Sequence, residues 1–311
     1  MDKVLFLAGP TACGKTEYSI RLAQDLNGEI VSADSMQIYK YMDIGSAKPT
    51  KEERAQAVHW LVDEIDPKTP FNAADYSILA RKYIKDILSR GKTPIVSGGT
   101  GLYINSLLYE MDFSAPKGDD GFRQRVFDEC GGDPIRIHER LRNLDPAAAE
   151  AIHPNNVKRV LRAIERLENG EEKLAAFAEF DTPAKDYECL LIAVNRDRQE
   201  LYDRINLRVD KIIEAGLEQE VRSLMNMGFD ASDIAMKGIG YKEVIQCLQD
   251  GQPIESCADL IKKSTRHYAR RQLIWLRRYE QCHWVTLKGM GFDEEAYREI
   301  RKLTDEFLAD K

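Results

Sequence analysis

The segment Gly9-Pro10-Thr11-Ala12-Cys13-Gly14-Lys15-Thr16 decides the fold of this 311-residue chain. It matches the phosphate-binding loop (P-loop) pattern G-x-x-x-x-G-K-[ST]. It follows an apolar run from Val4 to Ala8 and opens a helical pattern from Lys15 to Leu26. A strand before the loop and a helix after it are the context that this motif requires. The segment therefore predicts a P-loop at the end of the first strand of an α/β sheet.

The residue types of the P-loop suit a diphosphate ligand. Glycines let backbone N–H groups converge on phosphate oxygens, and the N-terminus of the following helix adds a favourable dipole. Lys15 supplies a point charge, and the Thr16 hydroxyl can ligate Mg²⁺. We expect diphosphate binding by Gly9, Pro10, Thr11, Ala12, Cys13, Gly14, Lys15 and Thr16. The motif alone does not name the ligand, because kinases, ATPases and GTPases share it.

Strand-like and helical patterns alternate over the first hundred residues. A second apolar run ends at Asp34, a helical pattern spans Asp75 to Leu88, and Pro94-Ile95-Val96 leads into Gly98-Gly99. This order predicts an α/β fold with a P-loop NTPase-like parallel sheet flanked by helices.

The pattern changes after Leu108. Residues 112–120 are polar and indicate a linker, residues 122–174 are helical without strand-like alternation, and a strand-like run returns at residues 188–194. These features predict an all-helical domain inserted into one α/β sheet.

Two long helical patterns follow, over residues 201–225 and 257–279. We assign them to the α/β core. The predicted domains are a core of residues 1–113 and 187–311, with C-terminal helices, and a helical insertion of residues 114–186.

Composition bounds the class of protein. Hydrophobic residues make up 43% and charged residues 31% of the chain, which is ordinary for a globular domain. No apolar run reaches the roughly 18 to 20 residues that cross a bilayer, and the N-terminal apolar stretch is too short for a signal peptide. The six cysteines are scattered without a C-x-x-C pair. We therefore expect reduced thiols, no membrane association and a cytoplasmic location.

Asp34-Ser35-Met36-Gln37 follows the second strand and should lie beside the P-loop, at the sheet edge where such folds bind ligands. A carboxylate there can hold Mg²⁺ through water or accept a proton from a nucleophile. For this motif alone, a helix cap or a loop aspartate is the alternative. The next strand ends at Ser97-Gly98-Gly99 without a Walker-B carboxylate, which weakens an NTPase function.

Two helical stretches carry basic stripes, although the net charge of −7 argues against nucleic-acid binding by the whole surface. Residues 262–278 contain seven basic residues and no acidic one, and Lys158, Arg159, Arg162 and Arg166 form the second stripe. Solvated charge is the ordinary explanation of one such stripe. Two stripes together with a P-loop favour contacts with RNA phosphates.

Seven segments in this order carry a resemblance to a known family: residues 9–16, 34–39, 43–49, 98–103, 153–156, 240–243 and 270–277. The set resembles the bacterial tRNA dimethylallyltransferase family, also called tRNA isopentenyltransferase. The similarity runs from the first strand to about Trp284. The sequence departs from the family pattern at Arg270, where lysine is common, and in a compact stretch between Phe127 and Arg140.

The resemblance implies transfer of a dimethylallyl group from dimethylallyl diphosphate to N6 of adenine 37 in the tRNA anticodon loop, with Mg²⁺ as cofactor and pyrophosphate as product. By this resemblance Asp34 is the general base. Lys15, Thr16 and Arg208 complete the catalytic set, in which Arg208 helps to bind the diphosphate. Thr100 and Arg123 match positions that contact tRNA, with one extra residue between them.

The full set of expected tRNA contacts combines these matches with the basic stripes. It comprises Asp34, Ser35, Met36, Gln37, Thr100, Arg123, Lys158, Arg159, Arg162, Gly240, Tyr241, Lys242, Arg270, Arg271, Gln272, Trp275 and Arg277. The target adenine has to leave its stack in the anticodon loop. Tyr241, or the adjacent segment of residues 238–240, is a candidate support for the displaced bases.

Three other functions fit parts of the sequence. A small-molecule P-loop kinase explains the P-loop and Asp34 but leaves the basic stripes without a role. A prenyltransferase acting on free adenine nucleotides has the same limitation. A non-catalytic RNA-binding module leaves the combination of Asp34, Thr100 and Arg208 unexplained. We expect a monomer, because no self-complementary apolar stripe remains.

Overall fold

The computed structural model describes residues 1–111, 119–170 and 182–310. The chain divides into two compact units, one formed by Met1–Glu110 with Ala184–Lys311 and the other by Met111–Pro183. Most of the predicted linker at residues 112–120, and the end of the predicted helical stretch at residues 171–174, lie outside the described residues.

The strands described in the first unit form one six-stranded sheet in which every neighbouring pair is parallel. They are β1 (Lys3–Ala8), β2 (Gly28–Ala33), β3 (His59–Trp60), β4 (Thr93–Gly98), β5 (Glu188–Asn195) and β6 (His283–Thr286). The order across the sheet is β3-β2-β4-β1-β5-β6. Helices that cover both faces explain the continuous apolar run of β1, whose residues from Val4 to Ala8 are all buried. The predicted parallel α/β sheet is confirmed.

The helices of the described residues are α1 (Lys15–Asp25), α2 (Lys51–Gln56), α3 (Ala73–Ser89), α4 (Gly101–Leu108), α5 (Asp120–Glu129), α6 (Pro134–Leu144), α7 (Pro146–Ala151), α8 (Val157–Glu168), α9 (Arg198–Glu214), α10 (Leu217–Asn226), α11 (Tyr241–Gln249), α12 (Ile254–Leu276) and α13 (Glu294–Ala309). Local sequence explains several boundaries. Asn72 caps α3 through a capping box with Asp75, for example. Gly216, with φ 101°, separates α9 from α10 within the stretch that the sequence predicted as helical.

The core of the first unit lies between the sheet and the helices packed on it. Leu5, Ile30, Ile95 and Ile192 belong to one buried cluster together with residues of α1 and α13. This packing holds the carboxyl ends of β1, β2 and β4 at one edge, and the loops after these strands carry the predicted site residues.

The second unit has its own apolar core within the described residues. It is built from α5 to α8, and Ile137, Leu141, Val160 and Ile164 are among its buried residues. Apolar residues of α8 recur at helical spacing, which leaves the opposite face of that helix for its basic residues.

One expectation about cysteines is wrong. Cys247 in α11 and Cys257 in α12 are joined by a disulfide, and Cys13, Cys130, Cys189 and Cys282 are free thiols. The turn between the two helices brings the Cα atoms of the pair to 6.5 Å. A ten-residue separation gives no motif in the sequence, so only the packing of the helices reveals the pair.

Candidate active site

The P-loop runs from the end of β1 into α1, and two of its glycines are required by geometry. Gly14 has φ 111°, a conformation that favours glycine. A Cβ atom on Gly9 would lie 2.5 Å from the carbonyl oxygen of Val194 in β5. The close approach of β5 therefore keeps the loop tight against the sheet edge.

Two arginines hold the P-loop backbone from behind. Arg196 Nε donates to the carbonyl oxygen of Cys13 at 2.8 Å, and Arg204 Nε donates to that of Ala12 at 2.9 Å. The same side chains bind the carbonyl oxygens of Gly289 and Met290. Burial lowers the pKa of Arg204, and the nearby Arg196 lowers it further. These contacts occupy loop carbonyl groups, whose negative ends would otherwise repel an anion.

A cavity of about 660 Å³ lies over the P-loop. Thr11, Lys15 and Thr16 line it from the loop, and Asp34 and Arg208 line it from β2 and α9. Lys15 Nζ donates to the carbonyl oxygen of Pro10 at 2.7 Å, so its ammonium group lies within the loop. The cavity thus brings together six of the nine predicted diphosphate-binding residues, namely Thr11, Ala12, Gly14, Lys15, Thr16 and Arg208. Gly9, Pro10 and Cys13 do not line it, and Cys13 is buried.

The guanidinium group of Arg208 forms no hydrogen bond or ion pair with any other described residue. Burial lowers the pKa of Arg208, and the negative charge of Asp34 opposes that shift. A desolvated cation without a bonded carboxylate is costly, and an anionic ligand removes much of that cost. The position of Arg208 therefore favours a negatively charged ligand in the cavity over the P-loop.

Asp34 forms a tight turn at the end of β2. Its Oδ1 accepts hydrogen bonds from the backbone N–H groups of Met36 at 2.9 Å and Gln37 at 3.4 Å. Thr100, which follows β4, accepts a hydrogen bond from the Ser35 N–H at 3.0 Å. The turn therefore holds the Asp34 carboxylate, and Thr100 holds the backbone next to it at Ser35.

A second cavity, of about 290 Å³, shares Thr11, Asp34, Arg208 and Ile212 with the first. Its other walls include Ser35, Met36, residues 238–240, Lys242, Tyr268 and Arg271. Gln37 lines the larger cavity and donates through Nε2 to the carbonyl oxygen of Ala47 at 3.2 Å. The carboxylate and the guanidinium group thus serve both cavities.

Helix α12 and the residue that follows it, Arg277, provide two kinds of predicted tRNA-binding residue. Arg270, Arg271 and Arg277 are exposed, whereas Gln272 is 5% exposed and both ends of its amide are bound within the protein. Trp275 is half-buried, and its ring lies so close to Gly101 that a Cβ there would be 2.4 Å from it. The exposed arginines are suited to bind a polyanion from solution, whereas Gln272 is suited to hold the backbone groups that it bonds inside the protein.

The segment from Gly240 to Lys242 also divides by exposure. Lys242 is exposed, but the side chain of Tyr241 is 0% exposed and its hydroxyl group donates to Glu220 at 2.7 Å. In this conformation the ring of Tyr241 is not accessible to a base. The hypothesis that Tyr241 supports displaced bases by direct contact therefore loses its geometric basis. The motif in the sequence did not indicate that this side chain is buried.

In the second unit the predicted contacts lie on α5 and α8. Lys158, Arg159 and Arg162 are exposed on α8. Arg123 pairs with the buried carboxylate of Glu165 at 2.6 Å, and its side chain keeps 28% exposure. This ion pair gives Arg123 a structural role within the unit besides any contact with RNA.

Three residues of the first unit contact the site although the sequence did not single them out: Arg196, Arg204 and Tyr268. Burial, and then the charge of Asp34, raises the pKa of Tyr268 to about 12, and its hydroxyl faces Thr100 and Gln272. Helical spacing was an available signal for two of them. Arg204 lies four residues before Arg208, and Tyr268 lies four residues before Gln272, so each shares a helix face with a predicted residue.

Among the described residues, no group of three or more His, Cys, Asp or Glu side chains could hold a metal ion. None of the described helices has the length and apolarity needed to span a membrane.

Comparisons with known proteins agree with the geometry. A family model described as IPP transferase matches residues 37–279. The tRNA dimethylallyltransferase of Alkaliphilus oremlandii is 47% identical over 289 residues, which cover 92% of this chain and 92% of that protein.

Two solved structures are also similar. The tRNA isopentenylpyrophosphate transferase of Bacillus halodurans is 36% identical, with a TM-score of 0.73 and coverage of 98% of both chains. A eukaryotic dimethylallyltransferase acting on tRNA is 26% identical, with a TM-score of 0.82 and coverage of 99% of this chain and 80% of that one.

Proposed function

This chain belongs to the IPP transferase family, and from that premise we propose that it transfers a dimethylallyl group from dimethylallyl diphosphate to N6 of adenine 37 in the tRNA anticodon loop. One observation carries the assignment of roles: Asp34 and Arg208 line both the cavity over the P-loop and the cavity beside it. A transfer reaction needs such a meeting point between a donor site and an acceptor site.

The larger cavity suits the donor. Breaking the bond between the allylic carbon and oxygen leaves negative charge on the departing diphosphate. Backbone N–H groups of residues 9–16, the Lys15 ammonium and the Arg208 guanidinium would stabilise that charge. Arg208 is suited to this role because its cation is already desolvated, so little solvent has to reorganise during the reaction.

The residues present fit a magnesium ion held with the diphosphate. Mg²⁺ usually takes one or two protein oxygens, several waters and phosphate oxygens, so a cluster of three carboxylates is not required. The Thr16 hydroxyl lines the cavity beside Lys15 and would be its protein ligand. When bound, the ion supplies further positive charge to the leaving group.

The smaller cavity suits the acceptor base. The lone pair of an adenine amino group is delocalised into the ring, so the nitrogen becomes a better nucleophile as its proton leaves. Asp34 would accept that proton, since backbone N–H groups hold its Oδ1 in place. The nitrogen then forms the new bond to the allylic carbon, while the electron pair of the broken bond goes to the diphosphate.

Exposed basic residues would bind the rest of the RNA. In the first unit these are Lys242, Arg270, Arg271 and Arg277, and in the second unit Lys158, Arg159 and Arg162. Phosphate contacts from lysine and arginine fix the position of an RNA without reading its sequence. We place the enzyme in the cytoplasm as a monomer, with the predicted division into a core and a helical insertion.

A direct assay tests this function. The protein is incubated with dimethylallyl diphosphate, Mg²⁺ and unmodified tRNA, and the digested RNA is analysed by mass for prenylated adenosine. A tRNA with guanosine at position 37 is the control and should remain unmodified. Parallel reactions with AMP and with ATP plus small hydroxyl compounds test the nucleotide prenyltransferase and kinase alternatives. Activity only in one of these would overturn the proposal.

A further inference from the structure

One carboxylate outside the predicted site binds three successive backbone groups of a loop. The side chain of Glu220, in α10, accepts hydrogen bonds from the N–H groups of Asp43 at 2.8 Å, Ile44 at 2.7 Å and Gly45 at 2.9 Å. Hydrogen bonds to an ionised acceptor are stronger than those between neutral groups. Glu220 therefore holds this stretch of backbone far more firmly than a single side-chain contact would.

Tyr241 completes the same arrangement. Its hydroxyl group donates to Glu220 at 2.7 Å and accepts a hydrogen bond from the N–H of Ser46 at 3.1 Å. Its ring packs against Gly45, where a Cβ atom would come within 2.5 Å of the ring. Four consecutive N–H groups, from residue 43 to residue 46, are thus bound by two side chains, which we call the loop anchor.

The anchored loop forms walls of both cavities. Ile44, Ala47 and Lys48 line the larger cavity, whereas Gly45 and Ser46 line the smaller one. The loop therefore borders the proposed donor site on one side and the proposed acceptor site on the other. Its position helps to set the relative placement of the two substrates.

The far end of the loop is also held, but by charge. The Lys48 side chain is 2% exposed and pairs with Asp43 at 2.6 Å and Asp63 at 2.8 Å. This pairing tethers the end of the loop near β3 and leaves the segment between Asp43 and Ser46 to the loop anchor.

We propose that Glu220 and Tyr241 are positioning residues for the transfer reaction, a role that rests on the proposed function. The loop anchor keeps residues 43–46 in place, so that the allylic carbon and the acceptor nitrogen meet at reaction distance and water is kept out. Neither residue touches a substrate. Their effect is exerted through the backbone of the loop.

Two consequences separate this role from simple structural support. A loosened loop misplaces the substrates, and a displacement of about 1 Å can cost on the order of 100-fold in rate. It also admits water, which can attack the allylic carbon. The bond to the diphosphate oxygen then breaks, a carbon–oxygen bond to water forms, and a proton goes to solvent. Pyrophosphate release would exceed RNA modification.

Glu220→Gln and Tyr241→Phe test the proposal. An amide keeps the size of the glutamate, but its NH₂ group cannot accept a hydrogen bond from a backbone N–H. Phenylalanine keeps the ring against Gly45 and removes only the hydroxyl group. Glu218→Gln is the matched control, because Glu218 lies on the same helix and pairs with Arg222 on the surface.

Three kinds of measurement are made on each variant at equal folded fraction. They are steady-state kinetics (kcat and KM for both substrates), the ratio of pyrophosphate to prenylated tRNA, and hydrogen exchange of the amides of residues 43–46. We expect kcat to fall about 10- to 100-fold in Glu220→Gln, the product ratio to rise above that of the wild type, and these amides to exchange faster. Tyr241→Phe should show smaller changes of the same kind. The fall in kcat of the double variant should be smaller than the product of the two single falls, because both side chains belong to the same loop anchor.

The outcomes separate the two proposals. If the wild type modifies tRNA and Glu220→Gln matches Glu218→Gln in kcat and product ratio, the positioning role is wrong and the proposed function stands. If the wild type modifies no tRNA, the proposed function and the positioning role both fail. Unchanged amide exchange in Glu220→Gln would refute the loop anchor itself.

Discussion

Gln272 and Thr11, 261 residues apart in sequence, are joined by a hydrogen bond of 2.8 Å from the Thr11 N–H to the Gln272 side-chain oxygen. The amide nitrogen of the same side chain donates to the carbonyl oxygen of Gly99 at 2.9 Å. A single buried amide of α12 thereby ties the P-loop to the turn after β4. The two ends of an amide suit this task, because one can only accept and the other can only donate.

Gln272→Leu should weaken the donor site. The substitution leaves the Thr11 N–H and the Gly99 carbonyl without their partner, a loss of about 1 to 3 kcal/mol for each buried group. We expect pyrophosphate affinity, measured by calorimetry, to fall by at least about tenfold. Gln199→Leu is the control, since the Gln199 side chain donates to Asp203 on the surface, away from the P-loop. Equal affinity in the two variants would rule out the bridge as a support of the P-loop.

Asp34→Asn should lower kcat while leaving tRNA affinity nearly unchanged. An asparagine oxygen can still accept from the Met36 N–H and keep the turn, but the amide cannot take a proton from the acceptor. General-base assistance is typically worth about 10²- to 10⁴-fold. Single-turnover prenylation and tRNA binding are the measurements. Asp66→Asn, which keeps a similar turn with Lys68, is the control, and a kcat of Asp34→Asn within a few-fold of it would dismiss the base assignment.

Arg208→Met should separate stability from function. Removing a buried cation that bonds no other described residue relieves its desolvation cost, so the thermal midpoint should not fall. Pyrophosphate binding should weaken by at least about tenfold, because a hydrogen-bonded charge contributes about 1.5 to 3 kcal/mol. Calorimetry and thermal unfolding measure the two effects. The control Arg222→Met, on the surface of α10, should change neither the thermal midpoint nor pyrophosphate binding. Tight pyrophosphate binding by Arg208→Met would show that Arg208 does not belong to the donor site.

The double variant Arg270→Gln/Arg277→Gln should flatten the salt dependence of tRNA binding. Each lost phosphate contact lowers the slope of log K against log salt by about 0.7 to 0.9. The KM for the donor should stay the same, since both side chains are exposed and line neither cavity. Arg298→Gln/Lys302→Gln on α13 is the charge-matched control. An identical slope in the two double variants would show that the stripe on α12 is only solvated charge.

The fold should become less stable in acid, because the stabilising negative charge of Glu29 is lost there. The hydrogen bond from Arg90 is the main cause that lowers the pKa of Glu29 from 4.5 to about 2. Hydrogen bonds from Lys92 and Trp60 contribute less, and burial acts in the opposite direction. Because the pKa is lower in the folded state, the ionised form stabilises the protein above about pH 4.5. That contribution is lost as the pH falls toward 2. Its size is about 3 kcal/mol, at roughly 1.4 kcal/mol per pH unit.

Urea unfolding of Glu29→Gln between pH 7 and pH 2 measures this contribution. The free energy of unfolding should be lower than that of the wild type at pH 7, and the difference should shrink below about pH 4.5. The exposed Glu299→Gln is the control. A difference that stays constant with pH would show that the carboxylate charge is not the cause.

Much of the architecture was predictable because it depends on local patterns. Five apolar residues before a glycine loop predict a buried parallel strand, and both the parallel sheet and the family were confirmed. The roles of the site residues and the domain boundaries stay predictions. The pairing of Cys247 with Cys257 and the burial of Tyr241 were not predictable from spacing, because both depend on how helices pack against their neighbours.

The sequence by itself determined the P-loop between β1 and α1 and the alternation of strands and helices that makes a parallel sheet, because each follows from a few consecutive residues. The short strands β3 and β6 were not predicted from it. Only the tertiary structure decided which distant groups hold that loop in place. Arg196 and Gln272 lie far along the chain from the carbonyl and N–H groups that they bind. A hydrogen bond is selected by distance in space, and distance in space is set by the packing of the whole unit.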